Sequence, residues 1–249
     1  MNVSKRIAIV NLLFYIFMIA INYSAGSNVG AIANEKSALI QPAGYAFSIW
    51  ILIYLLLLLW IVKGFFVRGK KVSVYIDLQV LIPVNFLLNG AWVLAFTQQK
   101  ILLSTVIILL LLLSLIVIYR KIKQNVNRGL FDLIPFSIYL GWVSVASIVN
   151  IFTYFVRNDI TTFLGIEELG WTVIMLFFGC ALAVSFSLIN QDALYTLVFI
   201  WSYIAIYVKD QEEIINRVTL ICIIIMSVTV LYVVISKLSR VKYEVTAGK

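Results

Sequence analysis

The feature that most constrains this chain is a series of apolar runs with no charge at their centres. Most are long enough to cross a bilayer, and short polar loops separate them. A spanning helix needs about 20 mostly apolar residues. In hydrocarbon each backbone N–H and C=O must be satisfied inside the protein, so open runs of this kind fold as helices. Composition agrees: 63% of the 249 residues are hydrophobic, 12% are charged and the mean hydropathy is +1.06. A soluble domain of this size needs far more polar surface. The spacing predicts an all-α, polytopic helical membrane protein with eight transmembrane helices, at 7–25, 43–66, 76–97, 101–119, 131–155, 170–190, 193–208 and 218–236. The seventh is short, and seven spans are the alternative.

The basic residues orient the chain. The net charge is +8, from 19 Lys and Arg against 11 Asp and Glu. In a soluble protein such a balance suggests nucleic acid. Here the cations sit in clusters between apolar runs, so lipid headgroups are the expected partner and nucleic acid is not. With eight spans and both termini cytoplasmic, only Lys36, Lys100, Arg157, Lys209 and Arg217 face outward, and the remaining cations face the cytoplasm. The positive-inside rule favours that arrangement. Lys5 and Arg6 before the first run give it the outline of a signal peptide. Asn11 and Asn22 interrupt the run, however, and its length suffices to span, so we read it as a retained helix. Usage rich in Ile, Lys and Asn, with short loops, suggests a bacterial plasma membrane.

Several chemistries have no residues to carry them. Histidine is absent, which removes the usual proton shuttle and the commonest metal ligand. Cys180 and Cys222 lie inside apolar runs and read as small buried hydrophobes. No metal-ligand spacing, nucleophilic triad or phosphate loop is present, so no catalytic residue, metal or required cofactor is assigned. Asp77 and Asp132 are expected at helix starts, where the macrodipole favours an acid. No buried ion pair is expected.

Uncharged polar and aromatic residues form stripes at helical spacing. The first span carries Asn11, Tyr15, Met18 and Asn22, and the second Phe47, Trp50 and Tyr54, with Pro42 just before it. The third carries Asn85, Asn89, Trp92 and Phe96, and the fifth Tyr139, Trp142, Ala146 and Asn150. Asn in hydrocarbon is costly, so these faces point inward. Two readings stay open. The amides bond helix to helix, or the stripes converge on a pocket for a flat apolar ligand. Trp60 and Trp201 lie outside the stripes and read as interface or packing residues. Gly179 and Ala183 on the sixth span permit close helix contact.

The segment Pro42-Ala-Gly-Tyr-Ala-Phe-Ser-Ile-Trp50-Ile-Leu-Ile-Tyr54 resembles the second helix of the TspO/translocator protein family, the tryptophan-rich sensory proteins. Leu88-Asn89-Gly-Ala-Trp92-Val-Leu-Ala-Phe96 is similar to that family's LNxxWxxxF pattern. Tyr139-Leu-Gly-Trp142-Val-Ser-Val-Ala146-Ser-Ile-Val-Asn150 is similar to its YxxWxxxAxxxN. The chain departs from the family at Ala46, Ser48 and Pro135, and Pro83 lies outside the pattern. The resemblance implies a five-helix bundle over 1–156, with three further membrane helices and a short basic cytoplasmic tail over 157–249. It also implies a porphyrin or similar ligand held by Pro42, Phe47, Trp50, Tyr54, Asn89, Trp92, Tyr139, Trp142, Ala146 and Asn150. The loop Gly26 to Gln41 would close the pocket as a lid, or serve as an ordinary connector. The only enzymatic activity it implies is light-dependent porphyrin degradation.

The function expected from these readings is binding of a flat hydrophobic small molecule within the bundle, as sensor or carrier. Two alternatives remain: a secondary transporter of an uncharged or amphipathic solute, and a non-catalytic membrane assembly subunit. Homodimerisation is left open.

Overall fold

A computed structural model of the chain describes the backbone of residues 2–26, 29, 36–209 and 212–246, with side chains up to residue 239. It is almost wholly helical. Two compact units form, one from Met1–Ala38 with Phe47–Ile160 and the other from Leu39–Ala46 with Thr161–Lys249. The segment 39–46 therefore packs within the second unit, although it precedes the second helix in sequence.

In the first unit the helices are α1 (Val3–Ala25), α2 (Ile49–Phe66), α3 (Val72–Leu78), α4 (Leu81–Thr97), α5 (Ile101–Gln124) and α6 (Leu130–Arg157). α1 packs on α2 and α4, while α6 packs on α2 and α5. In α6, 67% of the apolar window is buried, against 28–33% in α1, α2 and α5, so α6 is the central helix. Leu102, Leu103, Val106, Leu110 and Leu113 of α5 are exposed. A bilayer is the solvent that such a face fits.

The third predicted span is not one helix from residue 76. Helix begins at Val72, breaks at Gln79–Val80 and resumes at Leu81, with a 43° bend. Pro83 supplies the reason. It has no N–H for the carbonyl of Gln79, and its ring crowds that carbonyl. Asp77 consequently lies near the C-terminal end of α3, where the macrodipole gives it no support. It accepts instead from Asn125 Nδ2 at 2.7 Å.

Asp132 also departs from expectation. It does sit in the first turn of α6, accepting from the Gly129 N–H at 2.6 Å. It is also the acid of a buried ion pair, with Lys63 Nζ 2.5 Å from its Oδ1 and its side chain 3% exposed. The Trp60 indole N–H donates to the same oxygen at 3.2 Å. Trp60 itself is fully buried and stacks on Tyr75, so it is a packing residue.

The second unit opens with a two-residue hairpin, Thr162–Phe163 against Ile166–Glu167. Leu164 and Gly165 both have positive φ, as a type I′ turn requires. Then come α7 (Glu168–Asn190), α8 (Ala193–Val208) and α9 (Glu213–Thr246), each packed on the other two. Cys180 and Cys222 are buried, reduced and lodged between α7 and α9. Gly179 lets α8 approach closely, since a Cβ there would lie 2.6 Å from the Tyr203 hydroxyl.

The chain is thus a polytopic helical membrane protein. Among the described residues six helices are long and apolar enough to cross a bilayer, the bent α3–α4 pair adds a seventh, and α8 is a shorter apolar helix.

Candidate functional site

The four stripes come together in the first unit. Gly90 allows the first step, because Ile21 of α1 lies where a side chain on α4 would otherwise project. At that close approach the Asn22 Nδ2 donates to Asn89 Oδ1 at 2.9 Å and to the Met18 carbonyl at 2.9 Å. The Tyr54 hydroxyl donates to Asn22 Oδ1 at 2.7 Å, tying α2 to α1. Asn89 Nδ2 donates to the Tyr139 hydroxyl at 2.8 Å, which brings in α6. One polar chain therefore links four helices.

Beside it lies a cavity of about 190 Å³, lined by Asn22, Gly26, Val29, Phe47, Trp50, Tyr54, Trp92 and Val93. Trp50 is the hub of its aromatic wall. It stacks on Tyr54 with centroids 5.4 Å apart and planes 22° apart, and lies 6.0 Å from Trp92. Tyr139 and Trp142 meet it edge-on at 5.8 and 6.3 Å. Phe47 meets Trp142 edge-on at 5.7 Å. Such edge-to-face and offset pairs hold rings in place beyond simple area burial.

A family model for TSPO-like protein matches residues 8–235. The chain belongs to the TSPO-like protein family. The matched range runs from α1 through α8 and into α9. Comparison with curated proteins and with solved structures gave no match.

The sequence-derived residues of the TSPO-like chain fall into distinct positions. Phe47, Trp50, Tyr54 and Trp92 line the cavity. Tyr139 and Trp142 pack against Trp50, and Asn89 stands behind Asn22. Asn150 is away from the cavity wall. It accepts the Trp92 indole N–H at 3.1 Å and donates to Ser104 and Thr105, so it fixes the Trp92 ring. Ala146 is half-buried on α6 and off the wall. Pro42 belongs to the second unit, with Leu39–Ala46. Most of the expected lid, 27–28 and 30–35, lies outside the described residues.

Asn22, Val29 and Val93 are wall residues that the sequence-derived site omits. Asn22 had a signal, since it closes the polar stripe of α1. Val29 and Val93 had none. Among the described residues no three Cys, Asp and Glu side chains converge as a metal site would require.

Proposed function

We propose that this TSPO-like protein binds a flat, largely apolar ring molecule in the cavity between α1, α2 and α4, and serves as its sensor or carrier in the membrane. The tryptophan-walled cavity carries this reading. Trp50, Tyr54, Trp92 and Phe47 offer ring faces and edges, and Asn22 offers a polar anchor. A cavity of about 150 Å³ suffices for a benzene-sized ring, while drug-sized ligands occupy about 300–1,000 Å³. At about 190 Å³ this one suits a fused two-ring system. A porphyrin, the ligand that the family resemblance implies, is larger and would seat only part of its macrocycle here.

The test is calorimetric titration of the detergent-solubilised protein with indole and with protoporphyrin IX, on wild type, Trp50→Phe and Trp201→Phe. Trp201 lies in the second unit, its indole bonded to the Ala46 carbonyl, and serves as the control. Saturable binding weakened by Trp50→Phe and not by Trp201→Phe supports the reading. Heat that only tracks detergent partitioning, alike in all three proteins, overturns it.

A second reading, transport of an uncharged solute, draws on the 43° break between α3 and α4. Interrupted helices are a recurrent feature of carriers. Solute flux in reconstituted vesicles distinguishes it from a binding role alone.

A further inference from the structure

We infer that the cavity selects rings carrying an N–H or O–H donor at their edge, and that the receiving atom is Asn22 Oδ1, held in place by the Tyr54 hydroxyl. The inference rests on the ring-binding reading above and names the chemistry of its ligand. It follows from where each proton on the polar wall is spent. An amide nitrogen has two protons, and its oxygen has two lone pairs. Both Asn22 Nδ2 protons are used, one on the Met18 carbonyl and one on Asn89 Oδ1. The Met18 carbonyl can only accept, which fixes the orientation of the Asn22 amide. The single Tyr54 hydroxyl proton goes to Asn22 Oδ1.

The Asn89 amide, which donates to Tyr139, also lies against the Tyr54 hydroxyl as a donor. This edge of the cavity therefore has no proton left to give, yet Asn22 Oδ1, which accepts only from Tyr54, keeps a second lone pair. The Trp92 indole N–H is also spent, on Asn150. Gly26, Val29, Phe47 and Val93 bring no polar side-chain atom to the wall. The Trp50 indole remains a donor, so an acceptor elsewhere on the ligand is tolerated. At the Asn22–Tyr54 edge a ring oxygen would face two oxygens. A ring N–H would instead replace lost water with a hydrogen bond. A site built to bond a polar group discriminates strongly against an analogue that cannot reciprocate.

The probes are indole and benzofuran, isosteric bicycles that differ in N–H against ring oxygen. They are titrated into full-length protein in detergent, with detergent alone subtracted. Wild type is expected to bind indole at least about tenfold more tightly than benzofuran. Asn22→Leu frees the Tyr54 proton and turns the edge into a donor, so the preference should vanish or invert. Mere loss of packing would weaken both rings together and leave their ratio unchanged. Tyr54→Phe, which keeps the ring wall and leaves both lone pairs of Asn22 Oδ1 open, should retain the preference for indole. Equal affinity of the two rings for wild type, or tighter benzofuran, overturns the inference and leaves ring binding standing. Binding of neither ring overturns ring binding itself.

Discussion

Asp132 shows how a single buried charge ties the end of α6 to α2. Its carboxylate accepts from the Gly129 backbone, the Trp60 indole and the Lys63 ammonium. Asp132→Ala leaves those three donors short of an acceptor. Lys63 is 30% exposed and can turn partly to water, which moderates the loss. The expected cost is roughly 2 kcal/mol. For a chain of this length about 1 kcal/mol moves the midpoint by about 2–4 °C, so thermal melting in detergent should fall by roughly 4–8 °C. Lys63→Met/Asp132→Leu, which removes both charges, should melt above Asp132→Ala. A double mutant less stable than the single one would argue against a compensated pair. This ion pair was not legible in the sequence. Its partners are 69 positions apart at the ends of different helices, and either one alone reads as an ordinary interfacial residue. By contrast the inward faces of Asn89, Tyr139 and Trp142 were legible, because the cost of an amide in hydrocarbon gives helical spacing a direction.

At the scale of elements, two small features decide how helices meet. On α7, Gly179 faces α8 so closely that the Tyr203 hydroxyl, itself donating to the Leu176 carbonyl at 2.6 Å, occupies the place of a Cβ. Gly179→Ala should cost about 1–3 kcal/mol through overpacking. Tyr203→Phe removes the clashing oxygen, so Gly179→Ala/Tyr203→Phe should lose less than the sum of the two single losses. Additive losses would place the strain elsewhere. The glycine was visible as half of a small-xxx-small pattern, but the tyrosine opposite it was not, since sequence spacing names one helix face and never its partner. The break at Gln79–Val80 was only half legible, because Pro83 could break a helix or be tolerated near a span's start. A proline near a predicted helix start is normally harmless. Here helix already runs from Val72 to Leu78 before the break, so Pro83 interrupts a span under way rather than opening one.

For the molecule as a whole, the question with most consequence is whether α8 crosses the membrane. Its 16 residues rise about 24 Å, against a hydrocarbon core of about 30 Å. Length alone argues against a full crossing, and that is why hydropathy left seven or eight spans open. The packing of the second unit argues for one. α8 turns back from α7 at Asp192, which caps it by accepting from the Leu194 N–H. It then runs antiparallel along α7, with Thr196 bonded to the Ala183 carbonyl and Tyr203 to the Leu176 carbonyl. The segment Leu39–Ala46 closes the comparison. The Leu39 N–H donates to Glu168 at the start of α7, and the Ala43 N–H donates to the Ala205 carbonyl near the end of α8. A short stretch of chain thus touches both the first residue of α7 and the last turn of α8, so the two lie at one level. If α7 crosses, α8 crosses back, with a modest local thinning of the bilayer making up the difference in length. A chain with eight crossings, as expected from the sequence, would end on the side where it begins. Reporter fusions after Arg128 and after Lys249 should both report the cytoplasm, and a fusion after Lys209 the opposite side. A C-terminal reporter on the opposite side from the one after Arg128 would mean that α8 re-enters without crossing. The basic tail would then face outward, against the charge distribution that orients every other loop.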